Sequence, residues 1–188
     1  MTATTYTPAP FPRRWVAADA KFATWDQIEP WYRRLIDRPI GSTAELEKWL
    51  VDCDEVNAAV SEEGERRHIA MTCQTNDPVR EAAHLAFVRD VRPKLKPLLN
   101  DLRAKYLDSP HRAGLSTDRY RVFDRSQASR RDLYREANIP RETELAELDQ
   151  QYQKLIGAMT VTFEGREYTP AQMAPFLEET DRARRQAG

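Results

Sequence analysis

The sequence predicts a mainly α-helical protein, an array of long antiparallel helices with one short β-hairpin near the C-terminus. Two observations favour helices: apolar residues recur at steps of three and four over long stretches, and capping residues precede those stretches. The hairpin is predicted at about 160–169, where alternating residues flank a glycine turn. We therefore expect an extended arm over residues 1–23 and a helical domain over 24–188.

The composition is that of a folded protein with balanced charge. The 188 residues include 29 Lys and Arg against 30 Asp and Glu, which disfavours the basic face of a nucleic-acid-binding protein. No window approaches the ~20 apolar residues of a membrane-spanning helix, and the first residues lack the features of a secretory signal. Two cysteines are too few for a disulfide framework, which favours a reducing cytoplasm.

The N-terminal arm is predicted from three prolines, Pro8, Pro10 and Pro12. Each proline removes a backbone donor and fixes φ, so this stretch favours extended structure over helix. We expect Trp15 and Phe22 to anchor the arm on an apolar surface.

The first helix is predicted from Thr24 to the residues before Pro39. Thr24 with Gln27 matches a capping box, and Pro30 predicts a late start or a bend. Its apolar stripe consists of Trp25, Ile28, Trp31, Tyr32, Leu35 and Ile36.

Two long helices are predicted over about 42–75 and 77–107, and they turn at Asn76–Pro78. Ser42 with Glu45 is a second capping box, and Gly64 is the weak point of the first long helix. Its stripe consists of Leu46, Trp49, Leu50, Cys53, Val56 and Val60. The stripe of the second consists of Val79, Ala83, Phe87, Val91, Leu95, Leu98, Leu102 and Tyr106, and kinks are expected at Pro93 and Pro97.

The remaining segments are shorter. We expect residues 110–124 to be irregular or only briefly helical, a helix over about 126–137, and a break at 138–140. The next helix carries a heptad-like pattern of Leu145, Leu148, Tyr152, Leu155 and Met159. After the hairpin, Thr169–Pro170 is expected to cap a final helix that includes Phe176 and Leu177.

The residue types and their spacing predict no catalytic, cofactor-binding or metal-binding residue. We expect His68 at the surface, His84 partly in the core and His111 in a loop, each without a ligand partner. Cys53 and Cys73 lie twenty residues apart on one predicted helix, so they share neither a metal nor a disulfide unless that helix breaks. Phosphate-binding glycine loops, the G-x-S-x-G elbow and the H-E-x-x-H zinc motif do not occur in the sequence.

Seven segments, taken together, carry a resemblance to a known family: Pro12–Trp15, Trp25–Trp31, Leu35–Ile40, Glu45–Leu50, Arg67–Pro78, Arg92–Leu98 and Tyr152–Tyr168. This composite pattern resembles the N-terminal region of oligoendopeptidase F-like zinc metallopeptidases, which are relatives of thimet oligopeptidase. The resemblance covers about residues 11–186.

The resemblance implies an all-helical N-terminal portion of a larger enzyme in which two helical halves enclose a deep channel. In the complete family, the second half supplies zinc held by the two His of H-E-x-x-H and a downstream Glu, and the Glu of the motif is the general base. This chain has no position that matches those residues, so no zinc ligand or catalytic residue is carried over. We therefore expect no enzymatic activity and no cofactor for this chain by itself.

Three functional hypotheses remain open from the sequence. The first is a non-catalytic portion of such a peptidase, which hydrolyses short peptides only when complete, and the helical composition up to Gly188 supports it. The second is an independent helical binding or scaffold protein, and the third is a self-contained hydrolase. For the first, we expect the catalytic half or a second copy to cover 159–177, through Met159, Val161, Phe163, Met173, Phe176 and Leu177. The alternative is a C-terminus that is frayed after about Leu177. Nucleic acid and membranes are not expected as partners.

Overall fold

The computed structural model describes residues 13–187. The α-helices are α1 Trp25–Asp37, α2 Thr43–Thr72, α3 Pro78–Ala86, α4 Arg92–Leu107, α5 Thr117–Leu133, α6 Ile139–Ala158, α7 Pro170–Leu177 and α8 Arg182–Ala187. The strands β1 Val161–Phe163 and β2 Arg166–Tyr168 pair antiparallel. The predicted mainly helical fold with a C-terminal hairpin is confirmed.

The core lies mainly among α1, α2 and α4, with the segment before α1 packed against it. Ile28, Tyr32 and Leu35 of α1 are fully buried, and Trp49 of α2 is 1% exposed. The other buried members of the core include Val16, Phe22, Leu46, Val56, Val60, Phe87, Val91, Leu98, Leu102 and Tyr106. The predicted stripes of the first two helices therefore form the centre of the protein.

The segment before α1 is attached to α2 through a buried carboxylate. Glu55 accepts hydrogen bonds from the backbone N–H groups of Arg14, Trp15 and Val16, at 2.8, 3.0 and 2.8 Å. Burial by itself raises the pKa of Glu55, but these donors outweigh it and leave the pKa below its usual range. Pro8, Pro10 and Pro12, from which the sequence predicts an extended arm, lie outside the described residues.

The start of α1 differs from its prediction. The Thr24 side chain makes no capping bond, and the Gln27 side chain instead accepts the backbone N–H of Ala23 at 2.9 Å. The helix begins at Trp25 and accommodates Pro30 in its interior, so its start is not delayed. At the other end, the Lys105 ammonium donates to the carbonyls of Leu35, Ile36 and Arg38, which lack partners within the helix.

Side-chain caps define the antiparallel pair of α2 and α3. Ser42 accepts the N–H of Glu45 at 3.2 Å, while the Glu45 carboxylate accepts the N–H of Gly41 at 2.7 Å. Asp77 accepts the N–H groups of the first turn of α3, as its position before Pro78 predicts. The turn between the two helices lies where the sequence predicts it.

Gly64 is a close helix contact rather than the expected weak point of α2. The residue is buried, and a Cβ atom added to it lies 2.9 Å from a ring carbon of Phe87. The missing side chain therefore lets the Phe87 ring pack directly on the α2 backbone.

The second long helix is interrupted by a π-helical turn at Phe87–Val91. In this turn the N–H of Arg92 donates to the carbonyl of Phe87, five residues earlier, immediately before Pro93. The wider turn separates the helix into α3 and α4. Val79 was expected in the buried stripe but is 75% exposed, because a spacing of four drifts by about 40° per turn and the π turn changes the phase again.

The prediction for residues 110–137 is wrong in its boundaries. A short 3₁₀ turn occupies Pro110–Gly114, and α5 then runs from Thr117 to Leu133, starting nine residues before the predicted helix. Tyr120 and Phe123 pack this helix on the core, a contact that its highly charged composition conceals. The break lies before α6, and Pro140 stands in the first turn of that helix, where a proline costs no hydrogen bond.

The hairpin and α7 form a small unit of their own. Glu164 and Gly165 both have positive φ, at 49° and 76°, as a two-residue type I′ turn requires. Thr169 and Gln172 form a complete capping box at the start of α7, in agreement with the predicted cap. Within residues 13–187, no helix combines the length and apolar character needed to cross a bilayer.

Candidate functional site

The structure brings together two histidines that the sequence treats separately. The rings of His68 on α2 and His84 on α3 stack with their centroids 5.2 Å apart. Burial lowers the pKa of the His84 imidazole, and the neighbouring His68 and Arg92 lower it further, which favours its neutral form. His84 is buried and His68 is half-exposed, whereas His111 contributes its backbone carbonyl to a bond from the Thr43 hydroxyl. The pair arises from the register of α3 against α2, which no sequence motif reveals.

This histidine pair does not extend to a metal centre. Glu65 lies 3.6 Å from Nδ1 of His68, but no three His, Cys, Asp or Glu side chains within residues 13–187 are grouped as metal ligands. Cys53 is buried, as predicted, and Cys73 is exposed beyond the end of α2. Burial raises the pKa of the Cys53 thiol, which makes it unreactive as a nucleophile.

A cleft of about 660 Å³ opens between α2, α4 and α5. This volume is within the range of small-molecule and peptide sites, roughly 300–1,000 Å³. Its apolar walls include Trp49, Leu50, Leu95, Leu99, Leu102 and Phe123, and its polar lining includes Asn57, Ser61, Ser126 and Gln127. The cleft therefore combines apolar surface with hydrogen-bonding groups.

Two arginines line this cleft without an acidic partner. Arg103 of α4 donates from Nη1 to the Asn100 side chain at 3.2 Å, but its Nε is buried and has no hydrogen-bond partner. Burial lowers the pKa of Arg103, and the nearby charge of Arg130 on α5 lowers it further. Across the described part of the chain, neither arginine forms an ion pair. The cleft lining therefore contains two guanidinium groups and one carboxyl, that of Asp54, which leaves an excess of positive charge.

A second cleft, of about 490 Å³, lies beside the 3₁₀ turn and has its charges paired. Arg112 contacts both carboxylate oxygens of Asp124, at 2.5 and 2.7 Å, and the Tyr106 hydroxyl donates to the same carboxylate at 3.0 Å. The bonds from Arg112 lower the pKa of Asp124, while burial and Asp124 raise the pKa of Tyr106 to about 12. This network joins α4, the turn and α5, and it is a structural element rather than a vacant binding site.

Comparison with known proteins identifies the family. Residues 18–129, more than half of the chain, match the family model of the peptidase M3 N-terminal domain. The chain belongs to this family. No curated protein matches the sequence.

A solved structure extends the likeness beyond the residues of the family model. The chain is similar to the 3.1 Å X-ray structure of a protein provisionally designated oligoendopeptidase F, with a TM-score of 0.78 and 27% identity. The match covers 88% of this chain but only 30% of the related chain. The resemblance inferred from the sequence is confirmed, and the peptidase M3 N-terminal domain described here spans under a third of its solved relative.

In this peptidase M3 chain, α6 is attached to the core through polar groups. Arg89 pairs with Glu147 at 2.6 Å, and Glu81 accepts from both Gln150 and Lys154 at 2.8 Å. Hydrogen bonds from Lys154 and Gln150 lower the pKa of the Glu81 carboxyl. The face of α6 that contacts the rest of the chain is therefore its charged face.

The opposite face of α6 is apolar and uncovered. We define the α6 stripe as Leu145, Leu148, Tyr152, Leu155 and Met159, which are 66, 53, 62, 65 and 46% exposed. The residues of the heptad-like pattern therefore form an exposed face of α6 rather than part of the core. The expectation of an uncovered patch at 159–177 needs correction, since Met173 is buried and Phe163 and Phe176 cover each other with ring centroids 4.9 Å apart. Met159, Val161 and Leu177 are exposed as expected.

Proposed function

We propose that this chain is the non-catalytic N-terminal portion of an oligoendopeptidase-like zinc metallopeptidase, whose complete form hydrolyses short peptides. The family match over residues 18–129, combined with the 30% share of the related solved chain, carries this proposal. A cytoplasmic location remains part of it, on the basis of the low cysteine content.

The α6 stripe supports a role as one part of a larger assembly. Monomeric soluble proteins rarely expose a continuous row of large apolar side chains, and such rows mark interaction surfaces. We propose that the rest of the peptidase, or a second copy where that half is missing, packs against the α6 stripe and the neighbouring residues of 159–177.

Zinc belongs to the complete enzyme in this proposal and is held outside this chain. A catalytic zinc requires three protein ligands and an open position for water or substrate. His68 and His84 do not fit it, because their stacked rings are joined by no third ligand among the described residues. The residues of this chain would instead contribute the wall of a peptide channel.

The proposal is tested first on the chain by itself, with fluorogenic peptides of about five to ten residues, with and without zinc. We expect no turnover. Zinc-dependent cleavage that is abolished by a chelator and resists a control for contaminating peptidase would contradict the non-catalytic assignment.

The second test concerns the proposed catalytic half. We expect a reading frame that encodes H-E-x-x-H beside the gene or continuous with it, and its product should co-purify with this chain. The variant Leu148→Glu should abolish co-purification, while Gln151→Glu, on the same helix outside the stripe, should not. Absence of such a frame, together with a monomeric chain, would favour an independent helical scaffold.

A further inference from the structure

We propose that the cleft between α2, α4 and α5 binds the C-terminal residue of a short peptide, and that Arg103 and Arg130 receive its carboxylate. The choice of a peptide among apolar carboxylates rests on the proposed function. The carboxylate specificity itself rests on the geometry of the cleft.

The positive charge of the two arginines favours the binding of an anion in the cleft. Two guanidinium groups that interact across a partly desolvated space repel one another, and proteins usually place a carboxylate between such groups. The Asp54 carboxyl also lines the cleft, but within residues 13–187 it forms no ion pair with either arginine. A ligand carboxylate would supply the missing charge.

One N–H donor of Arg103 has an acceptor within the chain, and another has none. Asn100 accepts from Nη1, which fixes the guanidinium plane, while the buried Nε has no acceptor. A buried donor without an acceptor destabilises a protein, so a bound oxygen atom at this position would remove a cost that the free chain carries. A guanidinium fork suits the two oxygens of a carboxylate.

Both helices that frame the cleft place apolar side chains beside their arginine. On α5, Phe123, Ser126, Gln127 and Arg130 follow one another at helical spacing and line the same cleft. On α4, Leu99 and Leu102 lie beside Arg103 in the same way. This order of an apolar wall, hydrogen-bonding groups and paired arginines matches an apolar side chain, a peptide group and a terminal carboxylate.

The test uses the full 188-residue chain and three probes: acetyl-Ala-Ala-Phe with a free carboxylate, the same peptide as its amide, and octanoate. Binding is followed by calorimetry and by amide NMR shifts of α4 and α5. We expect the free peptide to bind with a Kd on the order of 1 mM or tighter, and the amide to bind at least about tenfold more weakly.

Three arginine variants test whether the preference for the free peptide depends on the two arginines of the cleft. Arg130→Gln, at an exposed helix position that tolerates substitution, should weaken binding of the free peptide by about tenfold and leave binding of the amide unchanged. Arg125→Gln removes the same charge from the same helix outside the cleft and should leave both peptides unaffected. Arg103→Lys keeps the charge but loses Nε, and should weaken the free peptide more than the amide.

Several outcomes would overturn the proposal. These are equal binding of peptide and amide, no binding of either, an equal loss in Arg125→Gln and Arg130→Gln, or tighter binding of octanoate than of the peptide. Failure here is separable from failure of the proposed function, because this experiment needs neither the α6 stripe nor a catalytic half.

Discussion

The α1–α4 core and helix α6 use the same spacing of apolar residues with opposite results. Ile28, Tyr32 and Leu35 of α1 are fully buried, whereas Leu145 and Leu155 of α6 are 66 and 65% exposed. Spacing at three and four residues therefore shows that a helix has an apolar face, but not what covers that face. In the core, the cover is another helix of this chain.

The two regions also differ in what attaches them. The core is held by buried apolar contacts and by hydrogen bonds of buried side chains, such as the Tyr32 hydroxyl, which donates to Asn57 at 2.7 Å. Helix α6 is attached through exposed charged pairs, including Arg89 with Glu147. Exposed ion pairs stabilise proteins weakly, so α6 should be the less stable of the two regions in the isolated chain.

The largest expected contrast is between two tyrosines. Tyr32→Ala removes a fully buried ring and should lower the free energy of unfolding by about 3–5 kcal/mol. Tyr152→Ala removes a ring that is 62% exposed and should change it by less than about 0.5 kcal/mol. Denaturant unfolding of both variants measures the difference. Similar losses in the two would show that α6 is part of the cooperative core.

The ends of the helices were more predictable from the sequence than the contacts between the helices. Ser42, Asp77 and Thr169 cap helices as predicted, because capping depends on residues only two or three positions away. The start of helix α5 was predicted nine residues too late, because its many arginines and serines hide the short aromatic face of Tyr120 and Phe123. The burial of that face depends on α4, and no local pattern records this.

The candidate site was not predictable from local signals. Arg103 and Arg130 are distant in sequence and lie on different helices, so their proximity follows from helix packing alone. The same applies to His68 and His84, which meet because α3 folds back on α2. A single sequence shows which residues are charged or titratable, but a cleft is a property of how three helices meet.

The second prediction concerns the buried carboxylate that joins the N-terminal segment to α2. Glu55→Gln should lower the free energy of unfolding at pH 7 by about 1–3 kcal/mol, since a neutral amide accepts three N–H donors less strongly. The pKa of Glu55 is lowered in the folded chain. Its stabilising effect is therefore present above the ordinary glutamate pKa of about 4.3 and is lost as the pH falls through the folded value.

Unfolding of the wild-type chain and of Glu55→Gln should accordingly be compared at neutral and acidic pH. The difference in stability should be largest near neutrality and should shrink as the pH falls. A constant difference at all pH values would show that the charge of Glu55 is not what binds the segment. Glu65→Gln, at an exposed position of α2, is the control.

The third prediction concerns the contact between α2 and the π turn. Gly64→Ala gains about 1 kcal/mol of helix propensity but places a Cβ 2.9 Å from the buried Phe87 ring, and overpacking costs about 1–3 kcal/mol. We expect a net loss of about 1 kcal/mol. In a double-mutant cycle, Gly64→Ala should destabilise the chain less when Phe87→Leu is also present, because the smaller side chain relieves the clash. A stabilised Gly64→Ala single variant would show that the ring moves freely.

The smallest effect on stability, and the most direct on assembly, is expected at the α6 stripe. Leu148→Glu places a charge where the side chain is already 53% exposed, so the free energy of unfolding should change by less than about 0.5 kcal/mol. Association should change strongly, because the charge must be desolvated when another surface covers the stripe. Light scattering should show the wild-type chain associating and the variant as a monomer, with Gln151→Glu behaving as wild type. Hydrogen exchange should locate the protection lost in the variant to α6 and residues 159–177. A wild-type chain that remains monomeric at all concentrations would contradict association of copies through the stripe, and an associating Leu148→Glu variant would place the interface elsewhere.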